Sequence, residues 1–491
     1  MAFKVTIFLL LFVVSQLNSQ ETGSDTVTEP IAAESGICRK CVCKDNKVDC
    51  AEQGLTTFFD KTEWEGLQPL KPTVVDLSDN SFENITGLAA LPIQTLNLSR
   101  CGIEYIENSS FKDLQQMQVL DLSHNKLTSR LSPHAFEGRY SPEEYEPLES
   151  MRVLNLAYNE FHSLNQDLFE HMPELTELDL SGNPIITIDY PTLISMSSLP
   201  MLKVLRLRSC QLTEIPEKFL HTPLHLIHLD LSDNLLAAVP QELEETKNLQ
   251  YLNLNQNPIK ELDMKSSEFP GFPTLRNLKE LHMCNMQSLK RIGQGALAGL
   301  QKLEKLHMSF NPMLSEIHAK ALARPDDIGE TYDWPPLTEL YLQSNSLPEI
   351  DSRLVSRWDK LEKVDVSDNP FMCDCSTQWM VDVLVPVVER RKTNASMNMI
   401  CQEPIEMRGY TMKHLNDIHR TMRCVDKYGH RPERDGAILL GTLIGVLLAL
   451  PIMLGLVLLW RRGYFTFIGL RGPVDVSRAY YKRAPDNDNF I

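Results

Sequence analysis

The chain is short of positive charge. Its 491 residues carry 48 Lys and Arg against 65 Asp and Glu, a formal net charge of −17. Phosphate backbones would be repelled, which excludes nucleic acid as a partner class. The signatures of catalysis are missing as well. There is no G-x-S-x-G, no H-E-x-x-H and no phosphate-binding glycine loop. Acidic residues are scattered rather than set against one another, so no enzyme activity, cofactor or catalytic metal is expected. Long apolar runs are also scarce, and two stand out. Lys4 precedes the apolar run Val5–Val14, and Leu17-Asn18-Ser19 then offers a cleavage site. This reads as a secretory signal peptide over residues 1–19, too short to span a bilayer. The second run, Ala437–Trp460, has 24 residues without a charge. As a helix it would extend about 36 Å, enough to cross a membrane with some tilt. Trp460 is followed at once by Arg461 and Arg462, and residues 461–491 hold six Lys/Arg against three Asp. That asymmetry places the tail in the cytoplasm. The expectation is a single-pass plasma-membrane chain with its N-terminus outside. Without the tail's +3 and Lys4, residues 20–460 carry −21.

The eleven cysteines fit export. Four lie at Cys38, Cys41, Cys43 and Cys50, and four more at Cys373, Cys375, Cys401 and Cys424. In an oxidising compartment even-numbered groups read as disulfide frameworks. Zinc is the competing reading of Cys-x-Cys spacing, and export disfavours it. Sequence alone does not fix the pairing.

Between the two groups the chain repeats itself. VLDLSHNKL (Val119–Leu127) returns as LDLSGNPI, LDLSDNLL and VDVSDNPF. On the template L-x-x-L-x-L-x-x-N, the second strand leucine falls at Leu77, Leu98, Leu122, Leu156, Leu180, Leu207, Leu231, Leu254, Met283, Met308, Leu342 and Val366. Most of these steps are 21 to 29 residues, and two are 34. One L-x-L strand cannot bury its leucines alone, whereas stacked copies build a parallel sheet over a continuous core. The recurring Asn then satisfies turn backbone groups that would each cost about 1–3 kcal/mol if buried unpaired. It stands at Asn80, Asn125, Asn159, Asn183, Asn234, Asn257, Asn311, Asn345 and Asn369, and is replaced by Cys101, Cys210 and Met286. Cys101 and Cys210 lie four repeats apart, roughly 19 Å at the strand spacing, too far to bond each other. Both read as buried thiols. The turn at Met286 should be less well satisfied, and Cys284 should be more accessible.

The period and pattern resemble the leucine-rich repeat family over residues 38–424. The resemblance implies an α/β solenoid: a curved horseshoe with a parallel concave sheet and cysteine-rich caps, here followed by one transmembrane helix. It divides the chain into signal peptide 1–19, polar segment 20–37, N-terminal cap 38–70, twelve repeats 71–370, C-terminal cap 371–424, stalk 425–436, transmembrane helix 437–460 and tail 461–491. It also implies the bridges Cys38–Cys43, Cys41–Cys50, Cys373–Cys401 and Cys375–Cys424. Trp379 belongs in the small core of the second cap.

The residue between the paired leucines should face the concave side. In order these are Asp76, Asn97, Asp121, Asn155, Asp179, Arg206, Asp230, Asn253, His282, His307, Tyr341 and Asp365. The first five are acidic or amide. Later ones bring Arg, His and Tyr, joined by His228, Tyr251 and Lys305 just before the first leucine. Sequons stand at Asn84, Asn97, Asn108 and Asn394, and a glycan on Asn97 would crowd the first repeats. A protein ligand is therefore expected on repeats six to eleven, through Arg206, His228, Tyr251, His282, Lys305, His307 and Tyr341, because aromatic and Arg side chains anchor interfaces. The plainer reading of all seven is a solvated sheet surface. His282 and His307, about 4.8 Å apart in backbone, offer too few ligands for a metal site. His221, His225 and His228 read as solvated too.

Two inserts, within Ser129–Ser150 and Ala319–Pro336, lengthen repeats and should form loops on one face. The 31-residue tail is too small for a kinase or Toll-type signalling domain. Gly441-x-x-x-Gly445 permits lateral helix packing, and the carboxyl-terminal Ile491 could enter a PDZ-type groove. Together these features imply a cell-surface recognition or adhesion protein. The alternative is a co-receptor or accessory subunit of a signalling receptor or channel.

Overall fold

Each short apolar alternation becomes one strand of three residues, and its neighbours arrive one repeat later in the chain. The computed structural model describes residues 36–141, 144–263, 271–326, 331–391, 394–424 and 432–462. The expected signal peptide, most of the polar segment before Cys38, most of the stalk and the tail beyond Arg462 lie outside the described residues. The chain is a parallel-sheet solenoid in two units. One runs to Ile259 and adds Pro273–His282; the other takes Lys260–Phe272 and everything from Met283 onward.

In the first unit the repeat strands are Val74–Asp76, Thr95–Asn97, Val119–Asp121, Val153–Asn155, Glu177–Asp179, Val204–Arg206, His228–Asp230, Tyr251–Asn253 and Glu280–His282. They pair in parallel without slippage, so Val75, Leu96, Leu120, Leu154, Leu178, Leu205, Leu229, Leu252 and Leu281 form one row. Every member of that row is buried. Residues on either side of it point to the other face, because side chains alternate along a strand. The register is thus fixed by burial: a one-residue slip would send nine apolar side chains into water. In the second unit Lys305–His307, Glu339–Tyr341 and Lys363–Asp365 pair the same way. The twelve strands precede the twelve leucine-type positions read from the sequence.

The asparagines form a ladder beneath the strand ends. Asn183 is fully buried. Its Nδ2 donates to the carbonyls of Leu180 and Leu156, each at 2.9 Å, and its Oδ1 accepts from Phe161 N. Asn125, Asn234 and Asn369 bridge to the preceding repeat in the same manner. One amide thereby satisfies the turns of two repeats, which makes the stack cooperative between neighbours. Cys101 and Cys210 replace half of this function: their thiols donate to the carbonyls of Leu77 and Leu180. Burial pushes the Cys101 thiol up to about 11 and the Cys210 thiol up to about 12. Met286 is buried without a polar side-chain atom to offer, although its own N–H reaches Asn311 Oδ1 at 2.8 Å.

The residue before each ladder position is left-handed in all twelve repeats, from Asp79 (φ 56°) to Asp368 (φ 55°). Only Gly182 is a glycine. A Cβ there would lie 2.4 Å from the Tyr158 ring, so the glycine leaves room for the aromatic of the preceding repeat.

Both ends are closed by disulfides. Cys38–Cys43 and Cys41–Cys50 brace the antiparallel hairpin Val42–Lys44/Lys47–Asp49, whose second strand pairs in parallel with Val74–Asp76. Trp64, fully buried, packs with Phe58 and Phe59. At the other end Cys373–Cys401 and Cys375–Cys424 hold the short helices Val385–Arg390 and Met412–Asp417. Trp379 donates Nε1–H to the Ile350 carbonyl at 3.0 Å and lies 5.1 Å from Trp358. It links the cap to the last turns of the repeats.

The inserts differ from the expected loops. Arg139–Ser141 and Glu144–Glu146 form an antiparallel hairpin, as do Arg324–Pro325 and Tyr332–Asp333. The physical reason in the first is an ion pair across the ends: Arg139 reaches Asp113 at 3.1 Å and Glu146 at 3.5 Å. In the second, Lys320 sits 3.7 Å over the Tyr332 ring. The long helix Pro432–Arg461 carries the apolar stretch Gly436–Arg461, mean hydropathy 2.7, with Pro451 inside it. It is long and apolar enough to cross a membrane.

Candidate functional site

The strand register brings four of the expected ligand contacts to one sheet face of the first unit. Arg206, His228, Tyr251 and His282 all sit at strand positions flanking the buried leucine row. All four are half-buried. Arg206 is more constrained than an isolated surface cation. Its Nη1 meets Glu177 Oε1 at 2.5 Å on the neighbouring strand and lies 3.9 Å from Asp179 Oδ2. Glu177 precedes a leucine and did not appear among the concave-row residues, yet parallel pairing places it diagonally opposite Arg206. Burial raises the Asp179 carboxyl above its usual range despite hydrogen bonds from Ser181 and the nearby Arg206.

Next to this pair the aromatic residues stack. The His228 and Tyr251 rings lie 4.0 Å apart and within 4° of parallel, and Tyr251 meets His282 at 5.1 Å. Burial, then the Arg206 charge, lowers the His228 pKa. At neutral pH the ring is therefore an uncharged, flat surface continuous with Tyr251. His282 Nε2 is 2.7 Å from Glu280 Oε1. Of the histidines expected to be solvated, His228 and His282 are instead held by neighbours, whereas His221 and His225 are exposed. Such fixed aromatics lose little side-chain entropy on binding, which favours them as interface anchors.

An open hollow of about 600 Å³ adjoins this ladder on the same unit, lined by Asp121, Asn155, Tyr158, Glu177, Asp179, Arg206, Arg208 and Asp230 among others. Tyr158 stacks on His124 at 4.4 Å. These earlier repeats were read as acidic or amide only; Tyr158 was missed because it lies in the turn after its strand, outside the alternating pattern. Its signal was the glycine one repeat later, Gly182.

In the second unit Lys305, His307 and Tyr341 occupy the matching strand positions. The His307 and Tyr341 rings stack at 4.6 Å, and Tyr341 donates to Glu339 Oε2 at 3.0 Å. Burial alone would raise the Glu339 carboxyl, but hydrogen bonds from Lys363 and Tyr341 outweigh it and hold the carboxyl below its ordinary range. Cys284 is half-buried, and burial raises its pKa despite the hydrogen bond from Ser309 N. That makes it a weak nucleophile.

The sequons differ in accessibility. Asn84 and Asn108 are exposed. Asn97 is half-buried on the sheet, its Oδ1 accepts from Ser99 N at 3.0 Å, and Leu98 and Ser99 are buried. Asn394 begins the short helical turn Asn394–Asn398.

Comparison with known proteins places this surface in context. The leucine rich repeat family model matches residues 92–139, 146–185 and 200–259. Toll-like receptor 9 of Felis catus is 28% identical over 61% of this chain and 29% of its own length. Tsukushi of Gallus gallus is 27% identical over 53% of this chain and 61% of its own. CD180 antigen of Mus musculus is 29% identical over 40% of this chain and 28% of its own. The chain thus spans under a third of the receptor relatives and about three fifths of Tsukushi. Among solved structures, the mouse RP105/MD-1 complex contains a chain similar in fold, with TM-score 0.52 and 19% identity over 77% of this chain and 54% of that one. The parallel strands, the asparagine ladder and the sulfur-braced ends agree with these matches: the chain carries leucine-rich repeats and folds as a leucine-rich repeat solenoid.

Proposed function

We propose that the chain is a single-pass cell-surface protein, N-terminus outside, whose repeat module recognises a protein ligand in adhesion or reception. The observation that carries this reading is the fixed aromatic stack of His228, Tyr251 and His282 beside the Arg206–Glu177 pair. It presents flat apolar area and a hydrogen-bonding cation on a rigid sheet, the combination that dominates protein interfaces. Arg206, His228, Tyr251 and His282 in the first unit, and Lys305, His307 and Tyr341 in the second, are the proposed contacts. The helix Pro432–Arg461 anchors the module, and residues 461–491 face the cytoplasm. The proposed division of the chain is the one drawn from the sequence, with sugar on Asn84, Asn97, Asn108 and Asn394.

The test is capture of cell-surface proteins by the repeat module, identified by mass spectrometry. Arg206→Gln with Tyr251→Ala and Tyr341→Ala, at unchanged surface expression, should abolish capture; undiminished capture rejects the footprint. Glutamine is the better replacement because a carboxylate at position 206 would face Glu177 and Asp179.

A second reading is an accessory role beside another membrane protein. The RP105 chain was solved in complex with MD-1, which favours an extracellular protein partner for this fold-similar chain too. Gly441 and Gly445, one helical turn apart with open space at each, would permit lateral pairing. Ile491, outside the described residues, would be the PDZ-type contact. Co-purification only of co-expressed membrane proteins, with no capture between cells, favours this reading over adhesion.

A further inference from the structure

Exposed apolar side chains are unevenly distributed outside the long helix. Residues 371–424 hold six of them: Met372, Val383, Met397, Ile405, Tyr410 and Ile418. The described part of residues 36–370, six times longer, holds eleven. Charge follows the same division. Residues 20–370 carry 31 Lys and Arg against 53 Asp and Glu, whereas residues 371–424 carry seven against six. The C-terminal cap is therefore the place where an acidic, polar surface becomes neutral and apolar.

Three of the six follow one another along the chain, a stripe of sequence that runs from one turn through the helix after it. Ile405, 70% exposed, projects from a turn closed by Met407 N–H to the Pro404 carbonyl and Gly409 N–H to the Cys401 carbonyl. Tyr410 ends that turn, and its ring stacks on His414 at 5.9 Å and 13°. Ile418, half exposed, lies one helical turn beyond His414 and donates its N–H to the His414 carbonyl. Cations flank the stripe. Arg408 is held by Glu403 and Lys413 by Glu389. Arg420 is exposed, and its guanidinium has no partner among the described residues.

The position of this stripe along the chain says what covers it. Only seven residues separate Cys424, tied by its disulfide to Cys375, from Pro432 at the start of the long helix. Such a link reaches at most about 29 Å fully extended. The apolar stretch begins at Gly436. Headgroup layers extend the bilayer by roughly 5–8 Å on each side of its hydrocarbon. A cap on so short a tether is confined to the neighbourhood of the headgroups. Aromatic and aliphatic side chains partition into that layer, and Arg snorkels to its phosphates.

We propose that the C-terminal cap rests on the phospholipid surface, with Ile405, Tyr410 and Ile418 in the headgroup layer and Arg420 on a lipid phosphate. This rests on the reading of Pro432–Arg461 as a membrane span.

The test uses the full chain in phosphatidylcholine nanodiscs, with nitroxides placed singly through Ile405→Cys, Ile418→Cys, Leu224→Cys and Leu448→Cys, and the wild-type thiols as background. Collision rates with oxygen and with a water-soluble nickel chelate are measured at each. Labels at 405 and 418 should meet the chelate several-fold less than the label at 224, and oxygen more. If 405 and 418 are as wet as 224 while 448 is in lipid, the cap contact is wrong and the span stands. If 405 and 418 are shielded from both reagents, a protein surface covers the stripe and the lipid assignment is overturned. If 448 is wet, the span fails and the proposal fails with it.

Discussion

The repeats and the C-terminal cap enclose apolar interiors by different means. In the repeats an asparagine amide holds the turns at nine of the twelve ladder positions and a thiol at two more, so no disulfide is used along nearly 300 residues from Val74 to Asp365. The cap has no neighbour beyond it. Its core of Met380, Leu384, Val385, Val388 and Leu415 is closed instead by two disulfides with separations of 28 and 49 residues. The lesson is about surfaces as much as stability. A repeat that shares its polar satisfaction with the next can spend its exposed strand positions on charge and aromatics. The cap must gather many non-repeating contacts in few residues, and it leaves apolar side chains outside.

The largest effect should come from opening the cap. Cys375→Ser with Cys424→Ser removes the longer closed loop, which loop-closure entropy values at about 4 kcal/mol. Thermal unfolding followed through Trp379 fluorescence should show an earlier cap transition, with the repeat sheet still melting at its original temperature. A single unshifted transition would mean that the cap is held by its core rather than by sulfur.

Next comes the ladder. Asn183→Ala leaves the buried Phe161 N–H without its acceptor and takes one of two donors from each of the Leu180 and Leu156 carbonyls, which keep the Cys210 thiol and the Asn159 amide, a loss of about 2–3 kcal/mol. Asn80 makes equivalent bonds but is only half-buried, so water replaces part of what Asn80→Ala removes. Denaturant midpoints should separate the two variants; equal losses would contradict burial as the cause.

Much of this was legible in the sequence because repetition multiplies a weak local signal. The leucine spacing marks all twelve strands, and Asn at a fixed offset marks the turns. What did not show was what depends on register or on non-repeating contacts. Glu177 precedes a leucine like many other residues, and only parallel pairing sets it against Arg206. The hairpins at 139–146 and 324–333 rest on Asp113 and on Lys320, which lie outside the hairpins themselves. The left-handed turns are invisible because eleven of the twelve use non-glycine residues, held there by the ladder rather than by intrinsic preference.

Gly182 sharpens that point. Gly182→Ala keeps a left-handed residue, φ 73°, and adds a Cβ 2.4 Å from Tyr158. The loss should be about 2 kcal/mol. Adding Tyr158→Ala should restore the steric part and leave the backbone part. If the double variant is no better than the single one, ring contact is not the reason for the glycine.

The smallest effect is a pH dependence. The His228 pKa is lowered in the folded chain. Its neutral form is favoured by folding, so stability falls as pH drops below the unfolded value near 6.5 and levels off below the folded one. His228→Gln should flatten that part of the stability curve, read by denaturant titration between neutral and mildly acidic pH. An unchanged slope would assign the acid sensitivity elsewhere.

The central claim is that the sheet face beside Arg206 and Tyr251 is where a protein ligand docks. The most direct measurement is photo-crosslinking from the full-length chain on cells, with a photoreactive residue in place of Asn253 on the sheet or of Glu170, exposed in the turns between Val153–Asn155 and Glu177–Asp179. The account predicts a discrete cross-linked partner from position 253 and none from position 170. Cross-links from 170 alone, or from neither position in cells whose surface proteins the module still captures, would contradict it.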